Sequence, residues 1–85
     1  MCYNPAVRGF NYFGHVNTTI GGRVCQPWNS LKPHGHVQDG SMFPEGTLSA
    51  AENFCRNPDG EMSVWCYTMD PDMRWEFCDV EPCCM

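Results

Sequence analysis

Residues 64–78 read Val64-Trp65-Cys66-Tyr67-Thr68-Met69-Asp70-Pro71-Asp72-Met73-Arg74-Trp75-Glu76-Phe77-Cys78. Two short runs rich in aromatic and β-branched residues, 64–68 and 74–78, flank the turn-forming Met69-Asp70-Pro71-Asp72-Met73, so the segment predicts a β-hairpin. Side chains two apart on a strand share a face, which puts Trp65 and Tyr67 on one side and Cys66 on the other. If Cys66 turns inward to a disulfide, the two rings face outward. If other loops cover them, the rings are buried, and the alternation allows both arrangements.

Outside this hairpin the chain is heavily punctuated. Gly9, Gly14, Gly21-Gly22, Pro27, Pro33, Gly35, Gly40, Pro44, Gly46, Pro58-Asp59-Gly60, Pro71 and Pro82 interrupt it every few residues, leaving no room for a long amphipathic helix. Only Ser49-Ala50-Ala51-Glu52 predicts a helical turn. There is no repeat and no low-complexity tract, and 85 residues suffice for one domain. Leu, Ile, Val and Phe together supply 14 residues, a poverty that in other chains goes with disorder. Seven cysteines, three Trp and three Tyr argue instead for a small aromatic core held by cross-links. No apolar run is long enough for a transmembrane helix. No signal-peptide pattern opens the chain, so a secreted origin implies a mature or excised piece.

Charge narrows the partners. The net charge is −5, and residues 59–85 hold seven of the ten acidic side chains against one basic residue, Arg74. A nucleic-acid binder needs a basic stripe and a polybasic membrane binder needs Lys/Arg clusters; neither is present. The acidic C-terminal third is a solvated surface or a match for a basic ligand. No phosphate loop, nucleophile elbow or zinc-binding helix motif occurs, so the sequence points to no enzyme and no cofactor.

The order of motifs around the cysteines resembles the kringle family. These are Cys2-Tyr3, Tyr12-Phe13-Gly14, Gly22 ahead of Cys25-Gln26-Pro27-Trp28, Pro33-His34-Gly35-His36, and Asn53-Phe54-Cys55-Arg56-Asn57-Pro58-Asp59-Gly60. Trp65-Cys66-Tyr67-Thr68, Arg74-Trp75-Glu76-Phe77-Cys78-Asp79 and Pro82-Cys83 complete the set. The resemblance covers residues 2–83, leaving 1 and 84–85 as flanking residues. It implies a small disulfide-rich fold of mostly irregular loops with a few short antiparallel β-hairpins. Spacing alone does not resolve the cysteine pairing; the family pattern implies Cys2–Cys83, Cys25–Cys66 and Cys55–Cys78. Each such loop is worth roughly 3–4.5 kcal/mol on a chain-entropy basis, not additively because the loops overlap. Such bridges imply a secreted, extracellular setting. Cys84 is left over, either paired outside the chain in an intermolecular disulfide, free, or exchanging with Cys83.

Kringles are non-catalytic recognition modules, and several bind lysine side chains or C-terminal lysines of protein partners. The resemblance places Asp59 and Glu61 on the anionic pair for the ammonium, Trp65, Tyr67 and Trp75 on the aromatic trough, and Arg74 on a carboxylate contact. Three departures stand out. Glu61 replaces the usual Asp, the Glu61–Trp65 stretch is one residue shorter than in plasminogen-type kringles, and Gln38 replaces a basic residue of strong binders. Those departures favour an internal lysine side chain, which needs no carboxylate contact. They also define the alternative, a structural or protein-interaction kringle of a larger secreted protein or receptor with a degenerate lysine site.

Plainer roles exist for the same residues. Asn57-Pro58-Asp59-Gly60 is an ordinary turn sequence, and Arg74 has Glu76 and Asp72 as nearby ion-pair candidates. Trp28 and Trp75 suit a core, and His34 and His36 suit packing and hydrogen bonding better than a metal. Asn17-Thr18-Thr19 is a glycosylation sequon, making Asn17 the candidate acceptor.

Overall fold

The computed structural model describes residues 2–83; Cys84, on which the extra-thiol expectation falls, lies outside them. The hairpin forms where the two aromatic runs predict it. Strand β1, Trp65–Tyr67, pairs antiparallel with β2, Trp75–Phe77, with Cys66 opposite Glu76. Single hydrogen bonds extend the ladder at both ends, from Thr68 N–H to the Arg74 carbonyl and from Cys78 N–H to the Val64 carbonyl. The turn is closed by Asp70, whose carboxylate accepts the Asp72 N–H at 2.9 Å.

β1 and β2 are the only strand pair among the described residues, where several hairpins are expected. The remaining extended contacts shrink to isolated bridges, among them Thr18 with Val24, Thr19 with Cys78, Cys25 with Thr68 and Arg56 with Trp65. Glycine and proline every few residues break each ladder before a second bonded pair can form. The predicted helical turn appears one residue earlier, as α1, Leu48–Ala51. Thr47 caps it by accepting the Ala50 N–H, and Glu52 leaves it at φ 47°.

Three disulfides tie these pieces together. Cys2–Cys83 joins the termini, and Cys25–Cys66 and Cys55–Cys78 interlock, closing loops whose ends are 81, 41 and 23 residues apart. The four inner sulfurs lie within 4.8 Å of one another, all buried, directly beneath the hairpin. Being oxidised, they have no thiolate to offer a metal.

On the other side of β1 the open question of ring exposure is settled. Trp65 and Tyr67 are only 3% and 6% exposed, so the outward-facing arrangement does not hold. Trp28, fully buried, stands edge-on to both, with ring centroids 5.3 and 5.8 Å away, and also to Phe43 at 4.9 Å. The strand is therefore sandwiched between sulfur on one face and indole on the other. Trp75, by contrast, remains 38% exposed at the edge of this cluster and is not a core residue.

Two ionic arrangements fix the periphery, and they differ in depth. The Arg56 side chain is 1% exposed; it donates to the carbonyls of Gly14 and Cys55 and pairs with the Glu45 carboxylate. Arg23, a third exposed, pairs with Asp70 at 3.0 Å and Glu76 at 3.3 Å, bracing the hairpin turn from outside.

Removing one partner of a buried pair strands the other charge, which costs roughly 3–5 kcal/mol, whereas exposed pairs contribute about 0–1. Glu45→Ala is therefore expected to destabilise by about 3 kcal/mol and Arg23→Gln by under about 1, read from urea midpoints. Equal losses would contradict this ranking. The Asp70 carboxyl is held below its ordinary value by the Asp72 backbone N–H and by Arg23. A depressed carboxylate contributes stability above its unfolded pKa and loses it as pH falls through the folded value. Stability should thus decline below about pH 3.8, with a shallower decline in Asp70→Asn in acid titrations followed by Trp fluorescence.

Candidate functional site

Asn57 organises the acidic turn. Its side chain is 1% exposed, and its carbonyl oxygen accepts the Glu61 N–H at 2.8 Å and the Trp65 indole N–H at 3.3 Å. Its amide donates to the carbonyls of Arg8 and Glu61, both at 2.7 Å. Gly60, at φ 81°, supplies the left-handed residue that lets the chain reverse between Asp59 and Glu61. One buried amide thus sets the turn carrying both carboxylates and pins the first ring of β1.

The six residues expected at the site converge. Asp59, Glu61, Trp65, Tyr67, Arg74 and Trp75 line a single pocket of about 140 Å³. Trp65 meets Trp75 edge-on at 5.7 Å and Tyr67 at 5.0 Å, so the aromatic wall is continuous across the hairpin. Two of its three rings are anchored in the core and one stands partly free. Among the described residues no ion pair engages Asp59, Glu61 or Arg74, so the acidic end is not neutralised from within. A shallower depression of about 630 Å³ lies elsewhere, lined by Phe13, His15, Pro44, Glu45 and Phe54 among others. Its Glu45 is already paired with Arg56, so its size carries less chemical meaning than the small pocket's arrangement.

Arg74 does not pair with Glu76 or Asp72. Its guanidinium donates to the Gly35 carbonyl at 2.8 Å and lies 5.3 Å from the Tyr67 ring centre, while Glu76 is taken by Arg23 and Thr19. His36 stacks on the same tyrosine, at 5.1 Å and 16° between planes. The histidine Nε2 atoms contact backbone carbonyls, His34 that of Asp70 and His36 that of Ser30. Sequence reasoning missed the part played by Gln38. Its side-chain amide donates to the Asp59 carboxylate at 3.2 Å, and its carbonyl accepts the Tyr67 hydroxyl at 3.1 Å. The sequence marks Gln38 only as an absent cation; nothing local in it signals a bridge spanning 21 residues to Asp59. Asn17 is exposed, and the sequon's Thr19 is buried against Glu76.

Two interlocked bridges beneath one aromatic hairpin, a third joining the ends of the chain, and a small acidic and aromatic pocket beside the hairpin define a disulfide-built recognition module. Comparison with known proteins agrees: residues 2–83 match the family described as "Kringle domain". Goat "Plasminogen" is 45% identical over 82 residues, which cover 96% of this chain and 63% of that protein. Human "Putative apolipoprotein(a)-like protein 2" is 43% identical over 82 residues, covering 96% of this chain and 59% of that protein. The chain belongs to the kringle family, a family of non-catalytic binding modules typical of secreted proteins. It spans about three fifths of the length of these relatives.

Asn57→Ala leaves several buried donors and acceptors unmatched, each costing about 1–3 kcal/mol. The expected result is a loss of at least about 2 kcal/mol together with a shifted Trp65 indole N–H resonance. An unchanged urea midpoint would show that the turn is held by other contacts.

Proposed function

We propose that this kringle docks the lysine side chains of extracellular protein partners in the pocket beside β1 and β2. One observation carries the reading: two carboxylates and three aromatic rings meet at one small pocket, and among the described residues no ion pair neutralises the acids. Asp59 and Glu61 would take the ammonium through charge-assisted hydrogen bonds. Trp65, Tyr67 and Trp75 would shelter the methylenes, each worth about 0.8 kcal/mol on burial, and a ring near the ammonium adds about 1–2. Ordering the ligand offsets part of this, leaving a Kd in the range of about 1 μM to 1 mM.

The carboxylate end is weaker. Arg74 is already engaged by Gly35, and Gln38 carries no charge, so lysine within a chain suits the pocket better than a C-terminal lysine. The extracellular setting rests on the three disulfides, and Asn17, exposed, is the candidate glycosylation site. A second reading, a protein-interaction kringle with a degenerate lysine site, draws on the Gln38–Asp59 contact.

Titration with 6-aminohexanoate and with n-pentylamine, followed by Trp fluorescence and indole NMR shifts, separates the two. Saturable changes at micromolar to millimolar ligand are expected for both compounds, with the carboxylate adding less than about threefold. Asp59→Asn combined with Glu61→Gln should abolish them. Silence of the folded, oxidised protein up to tens of millimolar would overturn the lysine reading.

A further inference from the structure

Gln38 makes two hydrogen bonds that belong to the pocket and not to the core. Its amide nitrogen lies 3.2 Å from the Asp59 Oδ2, and its carbonyl oxygen 3.1 Å from the Tyr67 hydroxyl. Asp59 is exposed and Gln38 half-buried, so the contact sits at the pocket's rim where a ligand must arrive. An amide N–H₂ offers a carboxylate a neutral version of what an ammonium offers it: a nitrogen donor at hydrogen-bond distance. We propose that Gln38 is an affinity-setting residue of this pocket, its amide acting as an internal competitor for Asp59 that an incoming ammonium must displace.

This rests on the lysine-docking reading and deepens it. Both bonds are charge-assisted by the carboxylate, and an ammonium adds its own positive charge, so it wins the exchange, but against an already satisfied carboxylate rather than a bare one. The surroundings hold the amide in place. Tyr67 is fixed by the stacked His36 and by Trp28 behind it, so its hydroxyl presents a fixed donor that holds the Gln38 carbonyl and directs the amide toward Asp59. The charged groups facing the acidic end are few. Arg74 bonds Gly35, and Arg8 reaches only the Gly60 carbonyl at 3.5 Å, leaving the neutral Gln38 as the side-chain donor on Asp59 among the described residues. The residue therefore lowers affinity for every amine alike, whether or not it carries a carboxylate.

The test compares the wild-type chain with Gln38→Ala and Gln38→Met, the latter keeping length while removing both hydrogen bonds. The probes are n-pentylamine and 6-aminohexanoate, with the Trp28 indole resonance as a check on folding. Losing an exposed hydrogen bond to a carboxylate, which water replaces in part, translates into affinities about 3- to 10-fold tighter for both ligands in both variants. In the wild-type protein the Gln38 side-chain N–H₂ resonances should shift in step with occupancy. Binding by the wild type with equal or weaker binding by the variants would make Gln38 a wall of the site and overturn the proposal, while leaving lysine docking intact. Absence of binding in all three proteins would remove both. Binding by the variants alone would overturn lysine docking by the wild-type chain while supporting Gln38 as the competitor that shuts the pocket.

Discussion

The structure depends on the crossing of Cys25–Cys66 with Cys55–Cys78. Both bridges end on the hairpin, one within β1 and the other just beyond β2, and their four sulfurs form a buried cluster under it. A two-stranded hairpin is marginal in water by itself. Here the backbone contributes three paired positions per strand, and cross-linking to two distant loops restricts the unfolded chain far more than those positions could. A chain with so few aliphatic residues folds around sulfur and indole because it has little else to bury.

The pocket follows from that construction. Disulfides press on one face of β1, so Trp28 and its loop close the other, and the rings of Trp65 and Tyr67 are fixed from behind. Of the three rings, only that of Trp75, on β2, keeps substantial exposure. The aromatic wall is thus the outer margin of the core itself, which makes it rigid before any ligand arrives. Asn57 adds the acidic end by tying the turn of Asp59 and Glu61 to the same Trp65. Stability and recognition share side chains to a degree that a larger domain could avoid.

Electrostatics are distributed by depth. The buried cation, Arg56, has its own carboxylate and carbonyl partners, and Arg23 braces the turn between Asp70 and Glu76. These pairs consume two arginines and leave Asp59 and Glu61 without a cation among the described residues, in a chain of net charge −5. What meets Asp59 is a neutral amide, a weaker and more readily exchanged partner than a salt bridge.

Much of this was legible in the residues. The hairpin followed from two aromatic runs about a proline turn, and the family from the order of motifs around six cysteines, which carried the disulfide pairing with it. The same resemblance points to six site residues, and these line one cavity. Tertiary structure alone decided whether Trp65 and Tyr67 faced water, because a strand's alternation says which side chains share a face and not what lies against it. It also decided that Arg74 bonds the Gly35 carbonyl instead of a nearby carboxylate, and that Gln38 bridges Asp59 and Tyr67. Those contacts join segments 21 to 39 residues apart. Local sequence patterns encode neighbours along the chain, whereas these neighbours exist only after the disulfides have brought the loops together.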